Sequence, residues 1–440
     1  MPMNDTDWEA RPGDAVHETW CGELELSRPL GLPGRPLAAD GRGYRRARIL
    51  VRLHGHPMGF LTRSLRHGDL DLDEIRAAVW EFKDKIVSHL EADGLRQREI
   101  LPREPVTTDA TPPSCGTPLS KPPPTTVVVC TRDRPRHLTE CLRGLQAVDY
   151  ANIEILIVDN APTSGATRNL VSEQAACDQR IRYVLESRPG LSRARNTGLR
   201  EAAGEIIAYT DDDVRVDAGW VAGLVLGFRR RPDVSCVTGL VAAASLDSPL
   251  EHFFDARISW ATSCEPDLFD LDPSRRLGPL YPFAAGMFGT GANFAFRRAD
   301  LLRLGGFDEL LGAGTRTAGG EDLDIFLRSL LAGHALAYEP SALVWHSHRV
   351  ELAALRRQMF AYGTGLSAYL SKHLLDRDVR PQMLRRVPQG VRHLGRISSR
   401  PHREAEPLDS IPRGLRAREF AGFAAGPALY AYSRWRAEVS

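Results

Sequence analysis

Residues 209–214 read YTDDDV, three adjacent carboxylates directly after the apolar run EIIAYT. Like charges crowded at a strand end repel one another, so something must offset them. Asp159 closes a second apolar run, IEILIVDN, and Thr131 closes a third, TTVVVCT. Hard carboxylate oxygens gathered around one crevice suit Mg2+ or Mn2+, and such a cation bridges readily to a diphosphate. The chemistry on offer is therefore metal-assisted handling of a phosphorylated ligand. Taken alone, Asp211–Asp213 fit a solvated acidic turn that includes Asp217 equally well.

The elements around these residues decide whether they can meet. From residue 125 onward, runs rich in Val and Ile alternate with helical patterns: TTVVVCT, PRHLTECLRGLQAV, IEILIVDN, SGATRNLVSEQAA, IRYVLES, SRARNTGLREAAG and EIIAYTDDDV. Continuous apolar strands joined by helices predict an α/β domain, a mainly parallel sheet with helices on both faces. In such sheets ligands bind beyond the carboxyl ends of the strands. That rule selects Thr131, Asp159 and Asp211–Asp213.

Upstream, residues 102–124 carry eight prolines and almost no large apolar side chains, the composition of a linker. Residues 1–101 before it read as a small α+β module. Two strands flank a Gly-His-Pro turn, followed by an amphipathic helix with Ile75, Val79, Phe82, Ile86 and Leu90 on one face. His54 and His56 lie in the turn with no third metal ligand nearby in sequence, so they read as turn residues.

Composition narrows the function. The chain has 440 residues, 42% of them hydrophobic, and a formal net charge of +1, so it can build large cores and carries no global basic field for nucleic acid. Seven scattered cysteines without a CxxC pair speak against structural zinc and a disulfide scaffold, and fit a reducing cytoplasm. The first residues, MPMNDTDWEARPGD, lack an apolar signal-peptide core. No run of about 18 apolar residues predicts a membrane span.

Five segments in order, VVVCTRDRP, ILIVDNAP, ESRPGLSRARNTGL, IAYTDDDVRVDAGW and GGEDLDIFLR, resemble the family-two inverting nucleotide-sugar glycosyltransferases of GT-A fold. The resemblance covers about residues 125–350, the expected catalytic domain, with 351–440 as a helical, arginine-rich extension. By that resemblance, Cys130, Thr131 and Arg132 pack against the nucleotide, and Asp159 meets the base edge. Arg188, Arg193 and Arg195 contact nucleotide and diphosphate, where a guanidinium suits phosphate geometry. Asp211 and Asp213 form the outer pair of a DxD motif. Asp213 becomes the direct metal ligand, with Asp211 or Asp212 reaching the ribose or a metal-bound water. Mn2+ or Mg2+ is the implied cofactor. GTGANFAFRR supplies Gly289 and Gly291 for close backbone approach to the donor sugar and Asn293 for one of its hydroxyls. Asp322 is the implied catalytic base and Glu321 the acceptor-positioning acid, with these two roles exchangeable; Asp324 caps or pairs. His346 matches an additional metal ligand in the family, with His348 two residues on.

The resemblance thus implies a metal-dependent inverting glycosyltransferase that uses a nucleoside-diphosphate sugar and a hydroxyl acceptor, lipid-linked or otherwise. Envelope or exopolysaccharide synthesis, or glycosylation of a secondary product, is the setting by analogy. From Arg380 onward the chain has twelve arginines against five acids, and REFAGFAAGPALYAYSRWR is apolar between basic flanks. This tail either docks on the catalytic domain or makes a peripheral contact with an anionic membrane from the cytoplasmic side. A catalytically degenerate nucleotide-sugar-binding module and a nucleotidyltransferase are the alternatives; CTRDRPRHL lacks the glycine-rich, lysine-bearing loop usual in the latter.

Overall fold

A computed structural model describes residues 17–28, 31–38, 41–92, 121–256, 263–272, 278–348, 351–386, 388 and 414–439. Most of the proline-rich segment, Cys115 and the arginines at 392–413 lie outside the described residues. The N-terminal part forms strands β1 (His17–Glu25), β2 (Tyr44–Leu53) and β3 (His56–Ser64), then helices α1 (Leu72–Ala78) and α2 (Lys83–Ala92). β1 pairs in parallel with β2, and β2 antiparallel with β3. Periodicity predicted two strands and one long helix. The additional strand β1 carries HETWCGELE, a polar run without clean alternation. The helix is interrupted at Val79–Phe82 by a 3-10 turn. Phe82 of this turn lies over Gly59, where a Cβ would stand 2.1 Å from its ring.

His54 and His56 are joined from α2 by His89, whose ring centroid lies 5.5 and 4.9 Å from theirs. Sequence distance had hidden this neighbour. Among the described residues, however, no three potential ligands are arranged to hold a metal.

The larger part comprises β4 (Thr125–Thr131), α3 (Pro135–Gln146), β5 (Ile153–Asn160), α4 (Ala166–Cys177), β6 (Ile181–Glu186) and α5 (Leu191–Glu201). Then come β7 (Ile206–Asp211), β8 (Val214–Val216), α6 (Trp220–Arg229), β9 (Val234–Ala243), α7 (Pro249–Asp255), β10 (Asp267–Phe269) and β11 (Asn293–Arg297). The chain continues through α8 (Arg298–Arg303), α9 (Glu321–Leu331), β12 (Ala335–His346), α10 (Leu352–Leu375), α11 (Arg380–Leu384) and α12 (Leu415–Val439). Nine strands form one sheet in the order β10-β12-β9-β11-β7-β4-β5-β6, with β8 attached to β12. β7, β4, β5 and β6 run parallel, and β12 runs parallel to β9, while β11 is antiparallel to both its neighbours.

Strand alternation divides the core between two faces. Val127, Val129, Ile155 and Ile157 pack with Leu138, Leu142 and Trp220 on one face. Val128, Leu156 and Val158 pack with Leu199, Phe326 and Leu330 on the other. The mainly parallel sheet covered on both faces is as the alternation of runs implied.

Pro340 does not split β12. The strand passes through it, and pairing with β9 shifts register between Glu339 and Val344. A residue without an N–H can sit in a strand only where the ladder is locally broken, so the irregularity absorbs the proline.

Candidate active site

The DDD run is a turn and not the end of one strand: Asp211 ends β7, and β8 begins at Val214. β8 pairs antiparallel with β12, matching Val214 to His346. This register brings the imidazole Nε2 of His346 to 3.6 Å from Asp213 Oδ1. On the opposite edge of β7, Thr210 pairs with Asn293, so the Gly289–Asn293 segment also borders the turn.

Arginines face all three carboxylates. Arg134 donates from Nη1 to Asp212 Oδ1 at 2.5 Å and from Nη2 to Asp213 Oδ2 at 2.9 Å. Thr131 Oγ1 donates to Asp212 Oδ2 at 2.6 Å. Arg195 Nη2 stands 3.7 Å from Asp211 Oδ1. Burial nevertheless pushes Asp212 above the usual carboxylate range, against the pull of Arg134 and Thr131. Asp211 is raised too, by enclosure and by Asp213 and Asp212, against the pull of Arg195. Part of its side chain still meets water, which tempers that rise.

Sequence reasoning missed Arg134. Its one local signal is the following Pro135, which fixes the first turn of α3 and holds Arg134 at the helix entrance, beside the DDD turn.

Arg195, expected to contact nucleotide and diphosphate, is engaged with protein partners. Its side chain is 3% exposed, and it donates to Glu321 Oε1 and to the carbonyl of Gly291, both at 2.9 Å. Its guanidinium also lies 5.3 Å from the Phe294 ring centroid and 5.6 Å from that of Phe307. Arg195 therefore links the DDD turn to the start of α9. Gly291 completes the link: its N–H donates to Asp322 Oδ2 at 2.8 Å, and a Cβ there would meet Arg195 Nη2 at 2.9 Å.

The two acids at the start of α9 occupy different environments. Glu321 is buried, and burial followed by the Asp322 charge raises it against the pull of Arg195. Asp322 is half-buried and accepts backbone N–H groups from Gly291 and, at 2.9 Å, from Leu323. Asp324 is fully buried in a cluster with Arg328, Lys372 and His373.

Asp159, at the end of β5, accepts from the Tyr183 hydroxyl at 3.0 Å through Oδ2, while its buried Oδ1 has no hydrogen-bond partner. Burial raises this carboxyl. Its neighbour Asn160, a second residue that sequence reasoning passed over, donates to the Arg188 carbonyl and accepts from the Gly190 N–H, fixing the SRPG loop. Arg188 itself is half exposed and pairs with Glu186 at 3.3 Å. Arg193 lies 3.2 Å from Glu309.

Asn293 is not available to a sugar. It is fully buried, donates to the carbonyls of Leu240 and Ala342, and accepts from Trp220 Nε1. A polar residue beside glycines faces inward here because β11 is a central strand flanked by β7 and β9. His348 lines the same cleft as the DDD turn but is paired elsewhere: its Nε2 lies 3.6 Å from Asp255 Oδ1, and its Nδ1 is 3.4 Å from His346 Nδ1. Burial opposes ionisation of Asp255, yet His348 and Arg48 outweigh it and hold that carboxyl below its ordinary range.

A cleft of about 340 Å³ opens over these groups. Its walls include Thr131, Arg132, Asn160, Asp211–Asp213 and His346, with Thr290 and Ala292 on either side of Gly291 and Phe254 and Tyr362 opposite. The volume lies in the range of small-molecule sites, roughly 300–1,000 Å³. Asp159, Arg188, Arg195, Asn293, Glu321 and Asp322 do not form its walls.

Residues 126–304 match the model of glycosyl transferase family 2. The pre-mycofactocin glycosyltransferase of Mycobacterium tuberculosis is 29% identical over 252 residues, which cover 56% of this chain and 48% of that protein. The chain thus spans about half the length of that relative. The succinoglycan biosynthesis protein ExoM of Rhizobium meliloti is 29% identical over 242 residues, covering 53% of this chain and 71% of that protein. Among solved structures, the mannosyltransferase PcManGT of Pyrobaculum calidifontis, in complex with GDP-Man and Mn2+, is 20% identical, with a TM-score of 0.47 over 82% of this chain and 99% of that one. Most of the covered sheet and of its ordered strand-end motifs falls within residues 126–304, and it is through this segment that the chain is similar to glycosyl transferase family 2.

Proposed function

We propose that the protein is a metal-dependent inverting glycosyltransferase that moves a sugar from a nucleoside-diphosphate sugar to a hydroxyl acceptor. The observation that carries this reading is Arg195, which ties the DDD turn to the Glu321–Asp322 helix start through Asp211, Gly291 and Glu321. Donor-side and acceptor-side acids are thereby held in one rigid frame.

Carboxylate oxygens suit Mn2+ and Mg2+, and an imidazole nitrogen lies beside them, with His346 Nε2 3.6 Å from Asp213 Oδ1. Asp213 and His346 would hold the ion together with Asp211, whose carboxylate would have to turn toward them, since among the described residues no three ligands already stand as a metal-holding group. Bound there, it would supply positive charge to the departing nucleoside diphosphate. Arg134 reinforces that charge from the opposite side of the turn. The unpartnered Oδ1 of Asp159 suits an N–H on the edge of the nucleotide base.

Asp322 is the stronger choice for the general base. Glu321 is committed to Arg195 in a buried pair, whereas Asp322 is half-buried, and two backbone N–H groups fix its orientation. A positioned carboxylate can take the acceptor proton late, as the new glycosidic bond forms on the face opposite the leaving group. Residues 415–439 present Phe420 and Trp435 outward, and on this reading they bring the enzyme to an anionic membrane surface carrying a lipid-linked acceptor. Among the described residues, no helix is long and apolar enough to cross a membrane.

Thermal unfolding with UDP, GDP, dTDP and CDP, each with Mn2+ or with chelator, tests the donor site without an acceptor. One nucleotide should raise the midpoint only with Mn2+, and Asp213→Ala should abolish the rise. Absence of a shift with every nucleotide would sink the reading.

A further inference from the structure

The N-terminal sheet is attached to the two strands that present Asp213 and His346. Arg52 of β2 grips Asp217, just after β8, with two hydrogen bonds of 2.7 and 3.0 Å, and also donates to Glu23 of β1 at 2.9 Å. Leu50 and Phe60 pack with Leu240, Leu343 and Trp345, the last being the residue before His346. Thr19 of β1 donates its N–H to the Leu246 carbonyl at 3.1 Å, at the approach to α7.

From this seat Arg48 reaches the last residue of α7. Its Nη1 donates to Asp255 Oδ2, and its guanidinium lies 4.5 Å from the Phe60 ring centroid. Arg48 and Asp255 are only 12% and 11% exposed in their side chains. Asp255 faces His348 at 3.6 Å through its other oxygen, and His348 meets His346 at 3.4 Å. The row continues from His346 to Asp213 at 3.6 Å. Phe254, beside Asp255, lies edge-on to the His348 ring at 4.9 Å and also forms part of the cleft wall.

We infer that the N-terminal module is a positioning element of the donor site: Arg48, through Asp255 and His348, sets the orientation of His346 toward the metal held with Asp213. The inference rests on the metal-dependent donor reading above. A histidine that binds metal through one ring nitrogen is oriented by what its other nitrogen meets, and disturbing such a partner typically weakens metal binding about 10- to 100-fold. His346 has that arrangement, with Nε2 toward Asp213 and Nδ1 toward His348. Arg48 and Asp255 stand outside the cleft wall and act through the histidines, whereas His348 also lines the cleft beside His346. The two attachments differ in role. Arg52 anchors the β8 side, while Arg48 sets the imidazole row.

The test is Mn2+ titration of the full chain with the nucleotide that stabilises it, read by thermal shift and by the electron paramagnetic resonance of bound Mn2+. Arg48→Met and His348→Gln should each raise the Mn2+ concentration for half-saturation about tenfold and alter the bound-ion spectrum. Arg48→Lys should recover part of the loss. His348→Gln leaves the sheet interface untouched and decides the matter if Arg48→Met does not fold. Half-saturation and spectrum unchanged in folded His348→Gln would overturn the inference while leaving the donor site standing. Metal-independent nucleotide binding by the unsubstituted protein would instead overturn the donor reading, and the inference with it.

Discussion

Arg195 shows how one side chain changes the meaning of its neighbours. In RARN it reads as a basic helix residue suited to phosphate; in the fold its charge is spent on Glu321 and on the approach to Asp211. Removing Glu321 would take from this buried guanidinium its nearest carboxylate and leave only the more distant Asp211, whereas removing the charge of Asp322 leaves every buried pair intact. Two substitutions should therefore separate the adjacent acids. Asp322→Asn is expected to lower kcat about 10²- to 10⁴-fold, with nucleotide-dependent stabilisation preserved. Glu321→Gln is expected to cost about 3 kcal/mol of stability, seen as a lower unfolding midpoint without nucleotide. Full activity in Asp322→Asn would move the base elsewhere.

At the scale of elements, α9 is tied to α10 by a buried charge cluster. Asp324 accepts from Arg328 Nε at 2.8 Å and contacts Lys372 Nζ at 2.8 Å and His373 Nε2 at 3.0 Å. Burial alone would raise its carboxyl, but His373, Arg328 and Lys372 outweigh burial and hold it far below the usual range. The unfolded chain, with an ordinary Asp near about 3.9, then binds the proton that the native state refuses. The stabilisation is thus complete above about pH 5 and is lost as pH falls through about 4 and below. Chemical denaturation from about pH 7 to about pH 3 should show this decline, and Asp324→Asn should flatten it while lowering stability at neutral pH by about 3 kcal/mol. An unchanged acid slope in the variant would contradict the assignment.

What was legible in the sequence follows from the same elements. Strands β4, β5 and β7 are continuous apolar runs, so their last residues mark the cleft, and the order of residues alone singles out Thr131 and Asp211–Asp213, while Asp159 stands behind the wall that its neighbour Asn160 joins. The direction in which a polar residue points was not legible. Asn293 and a ligand-facing asparagine look alike in GTGANFAF, and only the closure of β11 between β7 and β9 turns Asn293 inward. Arg134 and Asn160 were overlooked because their partners, Asp212 and the SRPG loop, lie 78 and about 30 residues away. The contacts of Arg48 and Arg52 span 207 and 165 residues, and no local pattern announces them.

The whole molecule is nearly neutral, at +1, so no overall field draws it to an anionic surface. Any membrane contact must come from a local face. α12 packs on α10 through Gly422, Gly426 and Tyr430, and the approach is so close that a Cβ on Gly422 would stand 2.2 Å from the Phe360 carbonyl. Those contacts take one side of the helix and leave Phe420 67% and Trp435 57% exposed, with Arg416, Arg418, Arg434 and Arg436 on the same helix. Aromatic side chains among arginines are suited to the headgroup boundary of an anionic bilayer. Tyr362 of α10 is meanwhile in the cleft wall, so the helix that carries α12 also borders the substrate site. A lipid-linked acceptor held at the surface would then lie close to the acids that must use it. The full chain should sediment with vesicles containing phosphatidylglycerol more than with phosphatidylcholine alone, and less as salt rises. Replacing Phe420 and Trp435 together by serine should weaken that binding roughly tenfold, on the basis of about 1.4 kcal/mol of lost insertion. Equal sedimentation of both proteins, or none with either vesicle, would assign α12 to packing on α10 alone.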